Sequence, residues 1–166
     1  MNSLDLFHEV CHTASSGFVR GYSTSFSLAI RSLDREFRGP IQSIYGFVRL
    51  ADEIVDTFHG YDKAALLTRL REDTHRAIHD GISLNPVLHS FQRTVRAWGI
   101  SPDLYDTFLD SMEMDLHGRT YDQQTYESYI HGSAEVVGLM CLRVFCKNDD
   151  ALYQRLRPAA MKLGAA

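Results

Sequence analysis

Apolar residues recur every three or four positions along almost the whole chain, and this periodicity restricts the fold more than any other feature. No stretch of five or more residues alternates apolar and polar side chains between turn residues, so strand signals are nearly absent. Pro40, Pro86 and Pro102 each stand where a helix can begin, and Pro158 is predicted to separate or kink two helical pieces. The pattern predicts an all-α fold with helices packed around a central space.

Helix bounds follow from this periodicity together with capping residues and prolines. Asn85 before Pro86 and Ser101 before Pro102 form the cap-then-proline pattern of a helix start. The predicted helices are Leu4–Ala14, Tyr22–Leu33, Pro40–Phe58, Asp62–Asp80, Pro86–Trp98, Pro102–His117, Gln123–Cys146 and Asp149–Gly164. Residues 1–166 contain no repeat and no long linker, which favours a single all-α domain.

Composition narrows the class of protein. The chain has 166 residues and a formal net charge of −4, whereas broad nucleic-acid binding usually needs a basic face. No apolar run reaches the roughly 18 residues that a membrane-spanning helix needs, and the first residues lack the pattern of a signal peptide. Cys11, Cys141 and Cys146 form no CxxC motif, so neither a disulfide framework nor a structural zinc site is indicated. We therefore expect a cytoplasmic protein.

Residues 41–58 are the most informative segment, because they separate into two stripes when placed on a helix. Tyr45, Arg49, Asp52 and Asp56 follow one another at spacings of four, three and four, so they share a face. The second stripe is apolar and comprises Ile44, Phe47, Val48, Ala51, Ile54, Val55 and Phe58. The segment is thus predicted to bury one stripe and to present the other to a cleft or to solvent.

Asp52 and Asp56 are one helical turn apart, so their carboxylates can lie within about 6 Å of each other. Two like charges at that distance repel unless a cation lies between them. Mg²⁺ prefers oxygen ligands and keeps several waters, so this pair suits Mg²⁺ that bridges to a diphosphate. The alternative is that Asp52, Glu53 and Asp56 form the solvated face of an amphipathic helix.

Four motifs follow one another along the chain: Tyr22-Ser23-Thr24-Ser25-Phe26, residues 45–56, Met114-Asp115-Leu116, and residues 129–140. In order and spacing they resemble the squalene/phytoene synthase family, with dehydrosqualene synthases close by. The resemblance implies the all-α isoprenoid-synthase (terpenoid synthase) helical bundle. It also implies head-to-head joining of two prenyl diphosphates, with phytoene from geranylgeranyl diphosphate, through a cyclopropyl diphosphate, as the favoured product.

The resemblance implies a catalytic centre as well. Asp52 and Asp56 look like the family's first aspartate-rich motif, which binds Mg²⁺, with Mn²⁺ as the alternative, and through the metal a diphosphate. Tyr129 looks like the family's tyrosine that faces the reaction centre.

Substrate contacts are implied in the same way. Tyr45 and Arg49 resemble the family's diphosphate contacts on the metal-binding helix, and Ser23 and Ser25 resemble its hydroxyl contacts. Gly138 lies in the motif that contacts substrate. Because the family's products are lipids, a peripheral membrane contact is a further expectation.

The chain departs from the family's pattern at three places. His131 stands where the family commonly has a second tyrosine, and Glu135 replaces a small residue in the stretch that usually reads Val-Ala-Gly-Thr-Val-Gly. Residues 163–166 resemble the stretch before the family's second aspartate motif, which the sequence does not contain. We therefore expect a bundle whose C-terminal helices are missing, and a chain that is inactive alone.

Two alternatives belong to other functional classes. A non-catalytic relative, acting as a helical binding or assembly protein, would keep only half of the site. Residues 8–12 also match HExxH, in which His8 and His12 would bind Zn²⁺ and Glu9 would act as base in a peptidase. Ser15 and Phe18 stand where the extended metzincin motif needs Gly and His, and an ordinary helix face is the favoured interpretation of this segment.

Three further patterns stay open at the sequence level. Small residues between Gln123 and Cys146 either leave room for an apolar ligand or allow close helix packing, and the sequence favours neither. Asp110 and Glu113 are interpreted as an exposed acidic face. The basic pairs Arg69/Arg71 and Arg93/Arg96 are interpreted as solvated helix faces.

Overall fold

A computed structural model describes residues 2–117 and 123–165, and within these ranges every regular element is helical. The α-helices are α1 Ser3–Tyr22, α2 Thr24–Ser32, α3 Arg35–Asp56, α4 Lys63–Asp80, α5 Pro86–Trp98, α6 Pro102–Leu116, α7 Gln123–Ile130, α8 Val136–Phe145 and α9 Asp150–Ala165. A π-helical turn, His131–Glu135, joins α7 to α8. The all-α prediction is confirmed for the part of the chain that is described.

The chain divides into two compact units, and each has its own core. Unit 1 comprises Met1–Leu50 and Glu72–Ala97, and unit 2 comprises Ala51–Arg71 and Trp98–Ala166. The boundaries between the units fall within α3 and within α4, so each of these helices has one part in each unit. The prediction of a single domain over residues 1–166 stays a prediction.

The core of unit 1 is built around two aromatic rings that stack on each other. The centroids of Phe47 and Phe91 are 4.0 Å apart, and both side chains are fully buried. Helix α1 approaches α3 closely at Gly46, where a Cβ atom would lie 3.1 Å from Ser15 Oγ. Burial of each large apolar side chain contributes about 1.5–3 kcal/mol, so this core stabilises the packing of α1, α3 and α5.

The core of unit 2 depends on close approach between helices. Phe108 of α6 and Leu139 of α8 are fully buried. A Cβ atom at Gly138 would lie 2.8 Å from the carbonyl oxygen of Ala160, and one at Gly132 would lie 2.7 Å from Ser111 Cβ. The small residues were interpreted either as room for an apolar ligand or as sites of close helix packing. Both of these glycines are sites of close helix packing.

Helix starts follow the predicted capping chemistry. Asn85 Oδ1 accepts hydrogen bonds from the backbone N–H groups of Val87 (3.0 Å) and Leu88 (3.3 Å), immediately ahead of α5. Ser101 is the N-cap of α6, with Pro102 as its first residue. Both predicted helix starts are confirmed, although Asn85 caps its helix through the side chain and Ser101 makes no side-chain capping hydrogen bond.

The predicted end of the first helix was wrong, since α1 continues past Ala14 to Tyr22. Ser15 and Ser16 are buried, and Ser16 Oγ donates a 2.8 Å hydrogen bond to Gln42 Oε1 of α3. These tertiary contacts outweigh the weak helix propensity of the Ser-Ser-Gly sequence.

The predicted start of a helix at Pro40 was also wrong, as was the first of the two alternatives for Pro158, the separation of two helical pieces. Helix α3 begins at Arg35 rather than at Pro40, because the Arg38 side chain donates 2.8 Å hydrogen bonds to the carbonyl groups of Arg31 and Leu33 and ties this first turn to the end of α2. Pro158 lies inside α9 and does not divide it, because the preceding turn is exposed and water can satisfy the carbonyl that a proline leaves without a donor. Among the described helices, none is long and apolar enough to cross a membrane.

Candidate active site

The junction of α1 and α2 carries the two predicted serines. Ser23 is both the last cap of α1 and the N-cap of α2, and its Oγ accepts a 3.1 Å hydrogen bond from the backbone N–H of Phe26. Ser25 Oγ lies 3.5 Å from Ser23 Oγ. Two hydroxyl groups therefore sit together at the first turn of α2, where the helix dipole favours negative charge.

Two aromatic contacts dock this junction against α3. The ring of Phe26 stacks on Tyr45 with centroids 3.8 Å apart, and the Arg49 guanidinium lies 4.7 Å from the centroid of the Tyr22 ring. Because Tyr22 and Phe26 flank the Ser-Thr-Ser segment, the two contacts hold its hydroxyls beside the face of α3 that carries Tyr45 and Arg49. Residues about twenty positions apart in sequence are thus in contact within unit 1, and we call residues 22–26 together with this face of α3 the α2–α3 cluster.

The aspartates follow one and two turns further along α3. Asp52 is half-buried and Asp56 is exposed, whereas Glu53 is only 4% exposed. The alternative in which all three form a solvated face is therefore wrong for Glu53, which lies on the buried side of the helix. Next to Asp56, the carbonyl group of Val55 accepts a 2.5 Å hydrogen bond from Lys63 Nζ, which caps the end of α3.

The donor set on α3 fits a magnesium ion. Within the described ranges, no three His, Cys, Asp or Glu side chains cluster closely enough to hold a metal by themselves. Mg²⁺ is usually bound through one or two carboxylates together with substrate phosphates and water, so Asp52 and Asp56 suffice as protein ligands. The metal and the catalytic roles of the two aspartates stay predictions.

Tyr129 and the Met-Asp-Leu motif meet in unit 2. The Tyr129 hydroxyl donates a 2.9 Å hydrogen bond to Asp115 Oδ2. Ser133 Oγ donates a 2.8 Å hydrogen bond to the carbonyl oxygen of Tyr129. The structure thus connects two of the four motifs, although the predicted role of Tyr129 at the reaction centre remains a prediction.

The π-helical turn lies directly after Tyr129, and it contains both of the residues that depart from the family's pattern. His131 Nδ1 lies 2.7 Å from Glu135 Oε2, so the departures form a pair across the turn. Gly138 follows on α8 with its α-carbon against the backbone of α9. The geometry gives Gly138 a packing role, and its predicted contact with substrate is untested.

Charged residues of α4 and α6 form a network that the sequence did not indicate. Arg71 lies 2.7 Å from Asp110 and 3.5 Å from Asp106, and its side chain is only 27% exposed. Glu113 approaches the same guanidinium at 3.8 Å. The interpretation of Arg71 as a solvated residue was wrong, because three carboxylates on successive turns of α6 converge on it. The acidic face formed by Asp110 and Glu113 is exposed, as predicted.

The HExxH segment is part of the packing of unit 1. His8 Nδ1 lies 2.8 Å from Nε2 of the fully buried His89, and the two imidazole rings stack. Nδ1 of His8 is therefore engaged in a hydrogen bond to a histidine of α5. This packing contact agrees with the interpretation of the segment as an ordinary helix face.

Comparison with known proteins identifies the family. The sequence model of the squalene/phytoene synthase family matches residues 19–166. The chain is 30% identical over 125 residues to a presqualene diphosphate synthase of Rhodopseudomonas palustris, which covers 74% of this chain and 44% of that protein. It is 32% identical over 150 residues to a phytoene synthase of Rhodobacter capsulatus, which covers 87% of this chain and 42% of that protein.

Solved structures share the fold. A dehydrosqualene synthase matches 96% of this chain and 54% of its own length with a TM-score of 0.81 at 19% identity. A squalene synthase of Alicyclobacillus acidocaldarius matches 96% of this chain and 59% of its own length with a TM-score of 0.83 at 22% identity. The architecture is therefore the all-α isoprenoid-synthase fold. The chain belongs to the squalene/phytoene synthase family, and it spans less than half the length of the curated relatives named above.

Sequence reasoning missed the positioning role of two aromatic side chains. Tyr22 and Phe26 belong to the first of the four motifs, but only the serines between them were assigned a task. Their placement on either side of the hydroxyl residues was the available signal, since large aromatic side chains contribute strongly to packing between elements. The π turn had no comparable signal in the sequence.

Proposed function

We propose that this protein acts in the head-to-head condensation of two prenyl diphosphates, with the diphosphate of one substrate bound at the α2–α3 cluster. The observations that carry the proposal are the contacts of Phe26 with Tyr45 and of Tyr22 with Arg49, which hold the intervening serines on α3. This helix continues to Asp52 and Asp56. Two hydroxyls, a guanidinium and two carboxylates are the groups that bind a diphosphate and its metal. Membership of the family supports the same reaction class.

Each side chain of the cluster has a proposed task. The Arg49 guanidinium and the hydroxyls of Ser23 and Ser25 donate to phosphate oxygens, and the stacked Tyr22 ring keeps the guanidinium oriented. Mg²⁺ held by Asp52 and Asp56 would neutralise the charge that develops on the leaving diphosphate. Charge stabilisation of this kind is often the largest single contribution to catalysis.

The proposed reaction begins with heterolysis of the bond between C1 of one substrate and its diphosphate oxygen. The electron pair leaves with the diphosphate, and the allylic cation is attacked by a double bond of the second substrate. Loss of one proton then closes a cyclopropane ring on an intermediate that keeps its own diphosphate. A second ionisation releases the remaining diphosphate, and rearrangement of the resulting cation followed by loss of another proton gives the linear hydrocarbon. The apolar surroundings must exclude water throughout.

Phytoene formed from geranylgeranyl diphosphate is the product that we favour. Relatives named phytoene synthase and presqualene diphosphate synthase have similar identities, 32% and 30%. The product is identified by incubating the complete natural protein separately with the C15 and C20 diphosphates and analysing the hydrocarbon and diphosphate products by mass. Presqualene diphosphate from the C15 substrate alone would replace phytoene in the proposal.

Asp52→Ala tests the site itself. In the complete natural protein we expect Mg²⁺-dependent turnover to fall by at least about a thousandfold, because metal-assisted departure of the diphosphate is lost. Circular dichroism should show an unchanged helical fold, since Asp52 is only half-buried. The matched control is Glu72→Ala, which removes an exposed carboxylate from α4 and should leave turnover unchanged. Normal turnover by Asp52→Ala would remove the aspartate from the mechanism.

A further inference from the structure

The two residues that depart from the family's pattern are the first and last residues of the π-helical turn. His131 Nδ1 and Glu135 Oε2 lie 2.7 Å apart, and the side chains are 41% and 23% exposed. The carboxylate accepts the hydrogen bond from the Nδ1–H of the imidazole. The two departures from the pattern therefore form one contact, which we call the His131–Glu135 clasp.

Helix packing holds the π turn tightly on two sides. A Cβ atom at Gly132 would lie 2.7 Å from Ser111 Cβ of α6. A Cβ atom at Gly164 of α9 would lie 2.7 Å from the carbonyl oxygen of Ala134. Inside the turn, the N–H of Val136 donates to the carbonyl of His131, five residues back, which marks the wider helix. These contacts and this hydrogen bond fix the backbone of the π turn.

This geometry reaches Tyr129 directly. Ser133, in the middle of the turn, donates from its Oγ to the carbonyl oxygen of Tyr129 at 2.8 Å. The Tyr129 hydroxyl in turn donates to Asp115 at 2.9 Å. If the turn rewound into a regular α-helix, the extra residue would rotate α7 by about 100° relative to α8. Because the glycine contacts hold α8 on α9, the rotation would fall on α7 and would carry the Tyr129 hydroxyl away from Asp115.

We propose that the His131–Glu135 clasp stabilises the π turn and thereby positions the Tyr129 hydroxyl on Asp115. His131 and Glu135 are positioning residues, and the significance of Tyr129 for turnover rests on the proposed function. In this arrangement the pair replaces the tyrosine and the small residue of the family's pattern jointly. Either substitution alone would leave a half-buried polar group without the partner that the other supplies.

The first experiment measures the turn without any turnover. His131→Ala, Glu135→Ala and the double variant remove the clasp while keeping a residue that favours helix. In the full chain, amide hydrogen exchange at Val136 should accelerate about fivefold in each single variant and no further in the double variant, because one hydrogen bond is lost in all three. Arg76→Ala is the matched control, since it removes an exposed pair with Asp73 on α4.

The position of Tyr129 is read from ¹⁹F spectra of the chain labelled with 3-fluorotyrosine, with the signal assigned by Tyr129→Phe. Loss of the clasp should shift this signal, and Arg76→Ala should leave it in place. His131→Gln retains an N–H donor for Glu135 and should restore most of the original shift and exchange rate. Unchanged exchange and an unchanged signal in His131→Ala would overturn the proposal, as would additive effects in the double variant.

A kinetic measurement on the complete natural protein separates positioning from substrate binding. His131→Ala should lower kcat by about 10- to 100-fold with little change in KM, because the diphosphate contacts lie elsewhere, and His131→Gln should recover much of the loss. An equal rise in KM with constant kcat would contradict the positioning role. If the unsubstituted protein has no prenyltransferase turnover, the proposed function fails, while the exchange and ¹⁹F results still decide whether the clasp positions Tyr129.

Discussion

At the scale of single residues, the histidine pair of unit 1, in which His89 is fully buried, has a defined protonation pattern. The backbone N–H of Ser83 donates a 3.2 Å hydrogen bond to His89 Nδ1. The proton of the neutral His89 ring therefore lies on Nε2, which points at His8 Nδ1 at 2.8 Å. A second proton on His89 would face the Ser83 N–H, so the arrangement accommodates only the neutral ring.

This arrangement predicts how the stability of the protein depends on pH. Burial, followed by the nearby His8 and Arg93, lowers the pKa of His89 below its ordinary value. Between the lowered pKa and about 6.5 the unfolded chain binds more protons at this residue than the folded chain, so stability rises with pH through that window and is lost as pH falls. Urea unfolding from pH 8 to pH 5 should show a decrease in the free energy of unfolding that approaches about 1.4 kcal/mol per pH unit.

Two variants separate this residue from the other histidines. His89→Gln should reduce the pH dependence between pH 5 and pH 8 without abolishing it, because burial and Arg93 also lower the pKa of His12. His79→Gln should leave it as in the unsubstituted chain, because the side chain of His79 is 88% exposed. A pH dependence that survives unchanged in His89→Gln would show that another group is responsible.

Asp52, Asp56 and His8 show what the sequence can predict at this scale. The shared face of Asp52 and Asp56 was predicted from spacing, because the register of side chains along one helix is a local property. Their metal and catalytic roles came from the family resemblance and stay predictions. The partner of His8 could not be found in this way, since His89 is 81 positions away and is brought there only by tertiary packing. The HExxH pattern therefore indicated which residues lie close together along α1, whereas the hydrogen-bond partner of His8 lies on α5.

At the scale of elements, helix positions were predictable and helix lengths were less so. The proline starts of α5 and α6 depend on local capping and were correct. The length of α1 depends on buried serines that contact α3, and no local signal reports that contact. The extent of the predicted helix Gln123–Cys146 was close, but the π turn inside it arises from packing against α6 and α9. Tertiary contacts, rather than propensity, decided each of these differences.

The close contact at the π turn yields a prediction about stability. Gly132→Ala would place a methyl group 2.7 Å from Ser111 Cβ and 3.0 Å from the carbonyl oxygen of Thr107, so packing must shift. We expect a loss of about 1–3 kcal/mol in the free energy of unfolding, measured by urea titration.

Gly17→Ala is the matched control for this prediction. It is also a helical glycine, but no atom of a neighbouring element lies within 4 Å of the place that its Cβ would occupy. Alanine should therefore stabilise α1 by about 0.5–1 kcal/mol through its higher helix propensity. A change of stability in the same direction in both alanine variants would contradict close packing at Gly132.

At the scale of the whole molecule, helix α9 carries large apolar side chains on its exposed surface. Helix α9 buries Tyr153, yet much of its remaining surface is exposed. Leu156 and Leu163 lie seven residues apart on one face of this helix and are 38% and 80% exposed. An apolar stripe that extends over two helical turns is a frequent site of protein contact, whereas apolar residues exposed singly are ordinary.

We therefore predict that the 166-residue chain, made alone, associates with further copies of itself through this face of α9. Sedimentation velocity should show a weight-average mass that rises with concentration, because burial of the leucines against another copy removes apolar surface from water. Leu163→Lys should return the chain toward the monomer mass of 18.9 kDa.

Leu84→Lys is the control, since Leu84 is 96% exposed in the connection between α4 and α5 and its substitution should not affect association. A chain that sediments as a monomer at every concentration would show that this face does not mediate self-association, and equal effects of the two lysine variants would point to net charge instead of the α9 surface.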